Sequence, residues 1–98
     1  IYPREIEEKI LQHPAISECA VLGMPDPTWG EVGIAVCVAQ GDTPEAADLL
    51  EWLGAKVPRY KMPKSVVFWD ALPKSGYGKI TKKLIRAELI ARGELAGV

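Results

Sequence analysis

The stretch WGEVGIAVCVAQGD, residues 29–42, decides the fold, because it is a long apolar run rich in Val and Ile that ends at Gly41 and Asp42. Such a run, bounded by turn residues, is typical of a β-strand. The preceding stretch AISECAVLGMPD, residues 15–26, is a second apolar run, and its Pro and Asp predict a closing turn. We therefore expect two neighbouring strands that pair with each other.

Helical patterns flank this pair of strands. Residues 3–13 predict a helix, since Pro3 suits a first turn and Pro14 stops the pattern. A second helix is expected to begin with Thr43 as its cap and Pro44 at its first position, and to run to about Val57.

The C-terminal third adds one more strand and one more helix. Residues 65–72, SVVFWDAL, predict a strand, and residues 80–93 predict a helix with Ile80, Leu84, Ile85 and Leu89 on one side. The predicted order is α-β-β-α-β-α. This order indicates an α+β fold in which a small sheet of about three strands is covered by helices.

Length and composition narrow the possible classes of protein. The chain has 98 residues, of which 48% are apolar and 26% charged, so we expect one small globular domain without a transmembrane segment. The two cysteines, Cys19 and Cys37, lie in apolar runs and are predicted to be reduced core thiols, which favours a cytoplasmic protein. His13 is the only histidine, so no metal site is expected.

Charge is divided between the two halves of the chain. Residues 1–55 carry ten acids and two bases, whereas residues 56–92 carry ten bases and two acids. The basic half is expected to favour a polyanionic ligand. Nucleic acid is not the expected ligand, because these bases are not part of a recognisable nucleic-acid-binding motif.

The stretch PKSGYGKITKK, residues 73–83, places Lys79 directly after a loop with two glycines. A P-loop needs a glycine five residues before the Gly-Lys pair, but Pro73 occupies that position and has no N–H for a phosphate. On these residues alone two interpretations stay open. Lys79 either begins a solvated basic helix, which is the favoured interpretation, or is carried by the loop into a site built elsewhere.

Four motifs in order resemble the C-terminal domain of the acyl-adenylate-forming (AMP-binding) enzymes, above all the acyl-CoA synthetases such as the long-chain fatty acid–CoA ligases. They are YPREIE, HPAISECAVLGMPD followed by GE, YKMPK, and LPKSGYGKI. The resemblance covers nearly the whole chain. It implies a ligase that converts a carboxylic acid and ATP to an acyl-AMP and then transfers the acyl group to coenzyme A.

The resemblance also implies roles for individual residues. Lys79 matches the lysine that serves adenylation, with Gly76 and Gly78 as hinges of its loop. Trp29, before Gly30, matches an aromatic residue that stacks on the adenine of CoA. Tyr60 and Lys64 match a second aromatic and a base for the CoA nucleotide, with Arg59 and Lys61 near enough to help. Met62 stands where some relatives carry a further base.

The resemblance further implies that residues 1–98 form a mobile lid domain. Its partner would be a large N-terminal domain that binds ATP, Mg²⁺ and the acid, so the 98-residue chain is expected to be inactive alone. Two alternatives stay open, namely an adenylation domain that loads a carrier protein and a stand-alone binding module without catalysis.

Overall fold

The computed structural model describes residues 3–26, 28, 30–74, 76 and 81–92. Three helices, α1 (Pro3–Ile10), α2 (Ala46–Gly54) and α3 (Lys82–Ala91), accompany three strands, β1 (Ile16–Asp26), β2 (Gly30–Ala39) and β3 (Ser65–Phe68). A short 3-10 helix, Arg59–Lys61, precedes β3. The predicted α+β class and the order α-β-β-α-β-α are confirmed.

The sheet is mixed and has the order β1-β2-β3. β1 and β2 pair with each other, as predicted, and the pairing is antiparallel, with Cys19 opposite Cys37 and Gly23 opposite Gly33. β3 pairs parallel to β2, and the connection between them contains α2, which provides the long crossover that a parallel pair requires. β1 is therefore an edge strand, and it runs through Pro25 to Asp26 where a turn was predicted. An edge strand tolerates proline, because an N–H that faces away from the sheet has no ladder partner to lose.

Both N-terminal helices are shorter than the sequence predicts. α1 ends at Ile10, and His13 N–H donates to the carbonyl of Ile10 in a tighter final turn. His13 precedes Pro14, and the α-helical conformation is disfavoured for a residue before a proline. The prediction that Thr43 caps α2 is wrong. The N-cap is Glu45, whose extended backbone (φ −69°, ψ 140°) keeps Pro44 outside the helix, and no side chain caps it.

The C-terminal elements also differ from prediction in their ends. β3 ends at Phe68 and not at the predicted Leu72, and Trp69 N–H donates to the carbonyl of Cys37 at 2.9 Å. The predicted apolar side of the last helix is wrong for Leu84, which is 43% exposed, whereas Ile85 and Leu89 are fully buried. Ile85 and Leu89 are four residues apart and share one face, and Leu84 lies about 100° away from it. Ile80 lies outside the described residues.

Each face of the sheet carries its own apolar core. α1 and α2 cover one face, where buried residues such as Ile6, Ile10, Leu49 and Leu53 pack on Val21 and Cys37. α3 covers the other face, where Ile85 and Leu89 pack with Trp69 and Leu72 on the alternate residues of the strands. The sheet is therefore a layer that is covered on both faces.

The two cysteines are free and buried, as predicted. Their Sγ atoms are 3.7 Å apart across the β1–β2 pair, within hydrogen-bonding distance for sulfur. This hydrogen bond, followed by burial, raises the pKa of the Cys19 thiol far above its usual range. Both effects disfavour the thiolate, which is the reactive form.

We expect the folded protein to react slowly with an aromatic disulfide reagent at pH 7–8, and both thiols to react after unfolding in guanidinium. Since the unfolded thiol ionises at a pKa of about 8.5, the stability contributed by the protonated Cys19 is complete below that pH and declines as the pH rises above it. Denaturant titrations at pH 7 and pH 10 measure this decline. Labelling of the native protein at the rate of a free cysteine would contradict the buried pair.

Candidate functional site

A cleft of about 800 Å³ opens beside the 3-10 helix. Its walls come from α1, β2 and the segment between α2 and β3, and its lining residues are Ile6, Glu31, Val32, Gly33, Arg59, Tyr60, Lys61, Met62, Pro63 and Lys64. The volume lies within the range of small-molecule and cofactor sites. Tyr60 and Lys64, the two predicted site residues of this segment, thus line one cleft, together with Arg59 and Lys61.

The segment that bears these side chains is fixed by backbone hydrogen bonds. Pro58 precedes the 3-10 helix, and its carbonyl accepts from Lys61 N–H at 2.9 Å. Lys64 N–H donates to the carbonyl of Gly33 at 2.7 Å, which attaches the end of the segment to β2. Between these points Tyr60 is 78% exposed, and Lys61 Nζ lies 5.8 Å from the centroid of its ring. The exposed ring can stack on a ligand.

Lys61 and Met62 both make contacts with α1 or the core beside it. Lys61 Nζ lies 2.9 Å from Glu5 Oε2 on α1, and its side chain is only 15% exposed. The predicted help of Lys61 in phosphate binding therefore competes with an ion pair inside the chain. Met62 is half-buried and packs against the core that α1 and α2 cover. An apolar side chain at this position thus contributes to packing as well as to the cleft wall.

The β2 wall of the cleft contains an acid, Glu31, to which the sequence assigned no role. The Glu31 carboxylate lies over Gly23, where its Cδ is 2.6 Å from the place that a Cβ would occupy. Gly23 thus has no room for a side chain unless Glu31 moves. The only sequence signal for Glu31 was its place in the GE pair of the quoted motif. Its carboxylate adds two acceptor oxygens to the cleft that the bases also line.

Gly30 begins β2 beside Glu31. Its φ of +81° lies in the left-handed region, although nothing lies within 4 Å of a Cβ built there. Backbone conformation, and not lack of space, therefore requires glycine at this position. The predicted stacking residue Trp29, which precedes it, lies outside the described residues.

Of the predicted adenylation loop, Gly78 and Lys79 also lie outside the described residues. Gly76 is described, and a Cβ there would meet nothing within 4 Å, so its role as a hinge stays a prediction. The described ends of the loop meet, because Thr81 N–H donates to the carbonyl of Pro73 at 3.4 Å. The described residues on either side of the segment that carries Lys79 therefore lie next to each other.

Among the described residues, three ion pairs join the acidic half of the chain to its basic half. They are Glu5 with Lys61, Glu18 with Lys74 and Glu7 with Lys82, each at 2.9 Å. The division of charge along the sequence therefore reflects, in part, pairing across the fold. Two bases of α3 thus contact other elements of the chain. Lys82 pairs with Glu7, and Arg86 Nη2 donates to the carbonyl of Gly23 at 3.2 Å.

The chemistry of the cleft follows from these groups. An exposed phenol ring offers a face to a flat heterocycle, while Arg59 and Lys64 offer cations to phosphates. In the described part of the chain, no group of three or more His, Cys, Asp and Glu side chains is arranged to hold a metal ion. None of the described helices is long and apolar enough to cross a membrane.

Comparison with known proteins identifies the family. Residues 5–79 match the family described as AMP-binding enzyme C-terminal domain. A feruloyl-CoA synthase of an Amycolatopsis species is 49% identical over 87 residues, which are 88% of this chain and 18% of that protein. The long-chain-fatty-acid–CoA ligase FadD13 of Mycobacterium tuberculosis is 41% identical over 91 residues, which are 93% of this chain and 18% of that ligase.

Solved structures agree with these relatives. A fatty acyl CoA synthetase of Mycobacterium tuberculosis superimposes with a TM-score of 0.86 at 41% identity, over 93% of this chain and 18% of its own. ATP-bound MatB of Rhodopseudomonas palustris superimposes with a TM-score of 0.86 at 38% identity, over 91% of this chain and 18% of the MatB chain. The chain thus spans less than a fifth of the length of the relatives it matches. By sequence and by fold, it belongs to the family of AMP-binding enzyme C-terminal domains.

Proposed function

We propose that this chain is the mobile C-terminal domain of an AMP-forming acyl-CoA synthetase and works together with a larger N-terminal domain. The observation that carries the proposal is the cleft in which Tyr60 and Lys64 meet, on a fold shared with several CoA ligases. The larger domain would bind ATP, the acid and Mg²⁺.

In the first half-reaction, a carboxylate oxygen of the acid attacks the α-phosphorus of ATP, and pyrophosphate leaves. Negative charge moves onto the phosphate oxygens as the new P–O bond forms. We assign to Lys79 the stabilisation of that charge, because a cation directed at those oxygens interacts more strongly with the transition state than with the ground state. Gly76 and Gly78 would let the loop that carries Lys79 enter and leave the site.

In the second half-reaction, the CoA sulfur attacks the acyl carbon of the acyl-AMP, and AMP leaves. We assign the cleft and Trp29 to CoA. Trp29 and Tyr60 would stack on its adenine, and Gly30 would supply the turn that follows Trp29. Lys64 and Arg59 would bind its phosphates as charge-assisted donors. Glu31 adds an acceptor that fits the adenine amino group or a ribose hydroxyl.

The acid substrate is a property of the larger domain, and the names of the relatives range from feruloyl and indoleacetate to long-chain fatty acids and 2-succinylbenzoate. The test is therefore a panel of these four kinds of acid, given to the full-length enzyme with MgATP and labelled pyrophosphate. We expect acid-dependent exchange of label into ATP with at least one of them. No exchange with any acid, from a folded enzyme that binds ATP, would oppose the proposal.

A further inference from the structure

Two glycines form a flat patch of the sheet beside Glu31. Gly23 on β1 pairs with Gly33 on β2, so neither strand carries a side chain at this pair. Glu31 lies two residues before Gly33 and therefore on the same face of β2. Its Cδ and both carboxylate oxygens lie 2.6 to 2.8 Å from the place that a Cβ on Gly23 would occupy. The absent side chain of Gly23 thus makes the space in which the carboxylate lies.

The Glu31 carboxylate is not paired with the bases of the cleft. Glu31 and Arg59 are both exposed, and both line the cleft. Among the described residues, neither of these side chains takes part in a hydrogen bond or an ion pair, whereas Lys61 is paired with Glu5. The cleft therefore presents both an acceptor and a cation to a ligand.

Such a pair of groups suits a ligand that carries an anion and, at a separate place, a hydrogen-bond donor. The nucleotide of CoA has this form, because it carries phosphates and an adenine with an exocyclic amino group. The ribose 2′-hydroxyl is also a donor, but it adjoins the 3′-phosphate, so a carboxylate that accepted from it would also repel that phosphate. The amino group lies at the edge of the adenine, away from the phosphates, and meets no such repulsion.

We propose that Glu31 accepts a hydrogen bond from the exocyclic amino group of the CoA adenine, and that Gly23 is a positioning residue that leaves room for this carboxylate. The inference rests on the assignment of the cleft to CoA. It makes Glu31 a specificity-determining residue, since a site that pairs with a donor rejects a ligand that lacks it. For an exposed carboxylate we expect a preference of about tenfold, the lower end of the range for hydrogen bonds to charged groups.

The test compares CoA with an analogue whose base is unsubstituted purine, which lacks the amino group. The full-length enzyme receives supplied acyl-AMP, and kcat/KM for thioester formation is measured with each thiol. The wild type should prefer CoA by about tenfold. Glu31→Met, which has no strong acceptor, should remove the preference, whereas Glu31→Gln, whose amide oxygen still accepts, should retain part of it. Because the preference is a ratio, a general change in affinity for anions cancels from it.

Gly23→Ala tests the positioning role without altering an ionisable group. The added methyl group would displace only the end of the flexible Glu31 side chain, so the thermal unfolding temperature should stay near that of the wild type. The preference for CoA should fall. In the Glu31→Met background Gly23→Ala should change it no further, because no carboxylate remains to be displaced.

Glu51→Met is the matched control. Glu51 is an exposed acid on α2 that is not among the residues lining the cleft, so its replacement removes the same charge outside the proposed site. This variant should keep the preference of the wild type.

The outcomes separate this inference from the proposed function. Equal use of both thiols by the wild type, or a preference that persists in Glu31→Met, would overturn the role of Glu31 alone, since acyl-CoA is still formed. An unchanged preference in Gly23→Ala would overturn the positioning role. If Glu31→Met instead abolishes a preference for CoA over 2′-deoxy-CoA, Glu31 binds the ribose and the inference is wrong. Failure of the wild type to form acyl-CoA from acyl-AMP and CoA would contradict the proposed function itself.

Discussion

Replacing Lys79 by alanine in the full-length enzyme is expected to slow acyl-AMP formation by at least about 100-fold, the usual cost of losing one preorganised transition-state donor. The physical reason is that two anions react and charge accumulates on phosphate oxygens. Thioester formation from supplied acyl-AMP should stay near the wild-type rate, because pyrophosphate has already left. Rapid-quench measurement of acyl-AMP and of acyl-CoA, each from its own starting material, gives the two rates.

Lys83→Ala is the matched control for this experiment. Lys83 is an exposed base in the first turn of α3, four residues after Lys79, so its removal changes the net charge by the same amount. It should leave both half-reactions unchanged. Parallel loss of both half-reactions in Lys79→Ala would refute the assigned role, as would an equal loss of adenylation in Lys83→Ala.

Removal of the aromatic side chains assigned to CoA should produce the opposite pattern. Stacking on a base is worth roughly 1 to 3 kcal/mol, so Trp29→Ala or Tyr60→Ala should raise the KM for CoA by about 5- to 150-fold. Acyl-AMP formation should not change, because CoA takes no part in it. Tyr60 is 78% exposed, so the loss of its ring should leave the thermal unfolding temperature nearly unchanged.

Ile90→Ala provides the comparison for Tyr60→Ala. Ile90 is 54% exposed on α3 and is not among the residues that line the cleft. The substitution therefore removes exposed apolar surface without changing the proposed site. Its KM for CoA should equal that of the wild type. An unchanged KM in both Trp29→Ala and Tyr60→Ala would show that the cleft does not bind the adenine.

The sequence predicts the elements of this fold better than their ends. The runs around Cys19 and Cys37 indicate two paired strands because apolar periodicity is local information. The parallel pairing of β3 with β2 depends on how the crossover through α2 returns to the sheet, which no short window contains. Helix ends were placed wrongly near Pro14 and Pro44, where the backbone limits imposed by proline compete with helix periodicity.

The candidate site could be predicted only in part, and for a similar reason. Tyr60 and Lys64 were recognised by the YKMPK motif, and the structure places both on one cleft. Glu5 was not expected to contact Lys61, since the two are 56 residues apart in sequence. The division of charge between the halves was visible, but the same pattern fits both internal pairing and a polyanion site. Only the folded chain shows which bases already have an internal partner.

The most direct test of the account is to identify the products of the full-length enzyme with MgATP, the acid selected by pyrophosphate exchange, and free CoA. We predict AMP, pyrophosphate and acyl-CoA in equal amounts, with AMP release strongly reduced when CoA is omitted. Formation of ADP and phosphate would contradict the proposed chemistry. AMP release that requires a phosphopantetheinylated carrier protein, and not free CoA, would contradict the assignment of the cleft to CoA.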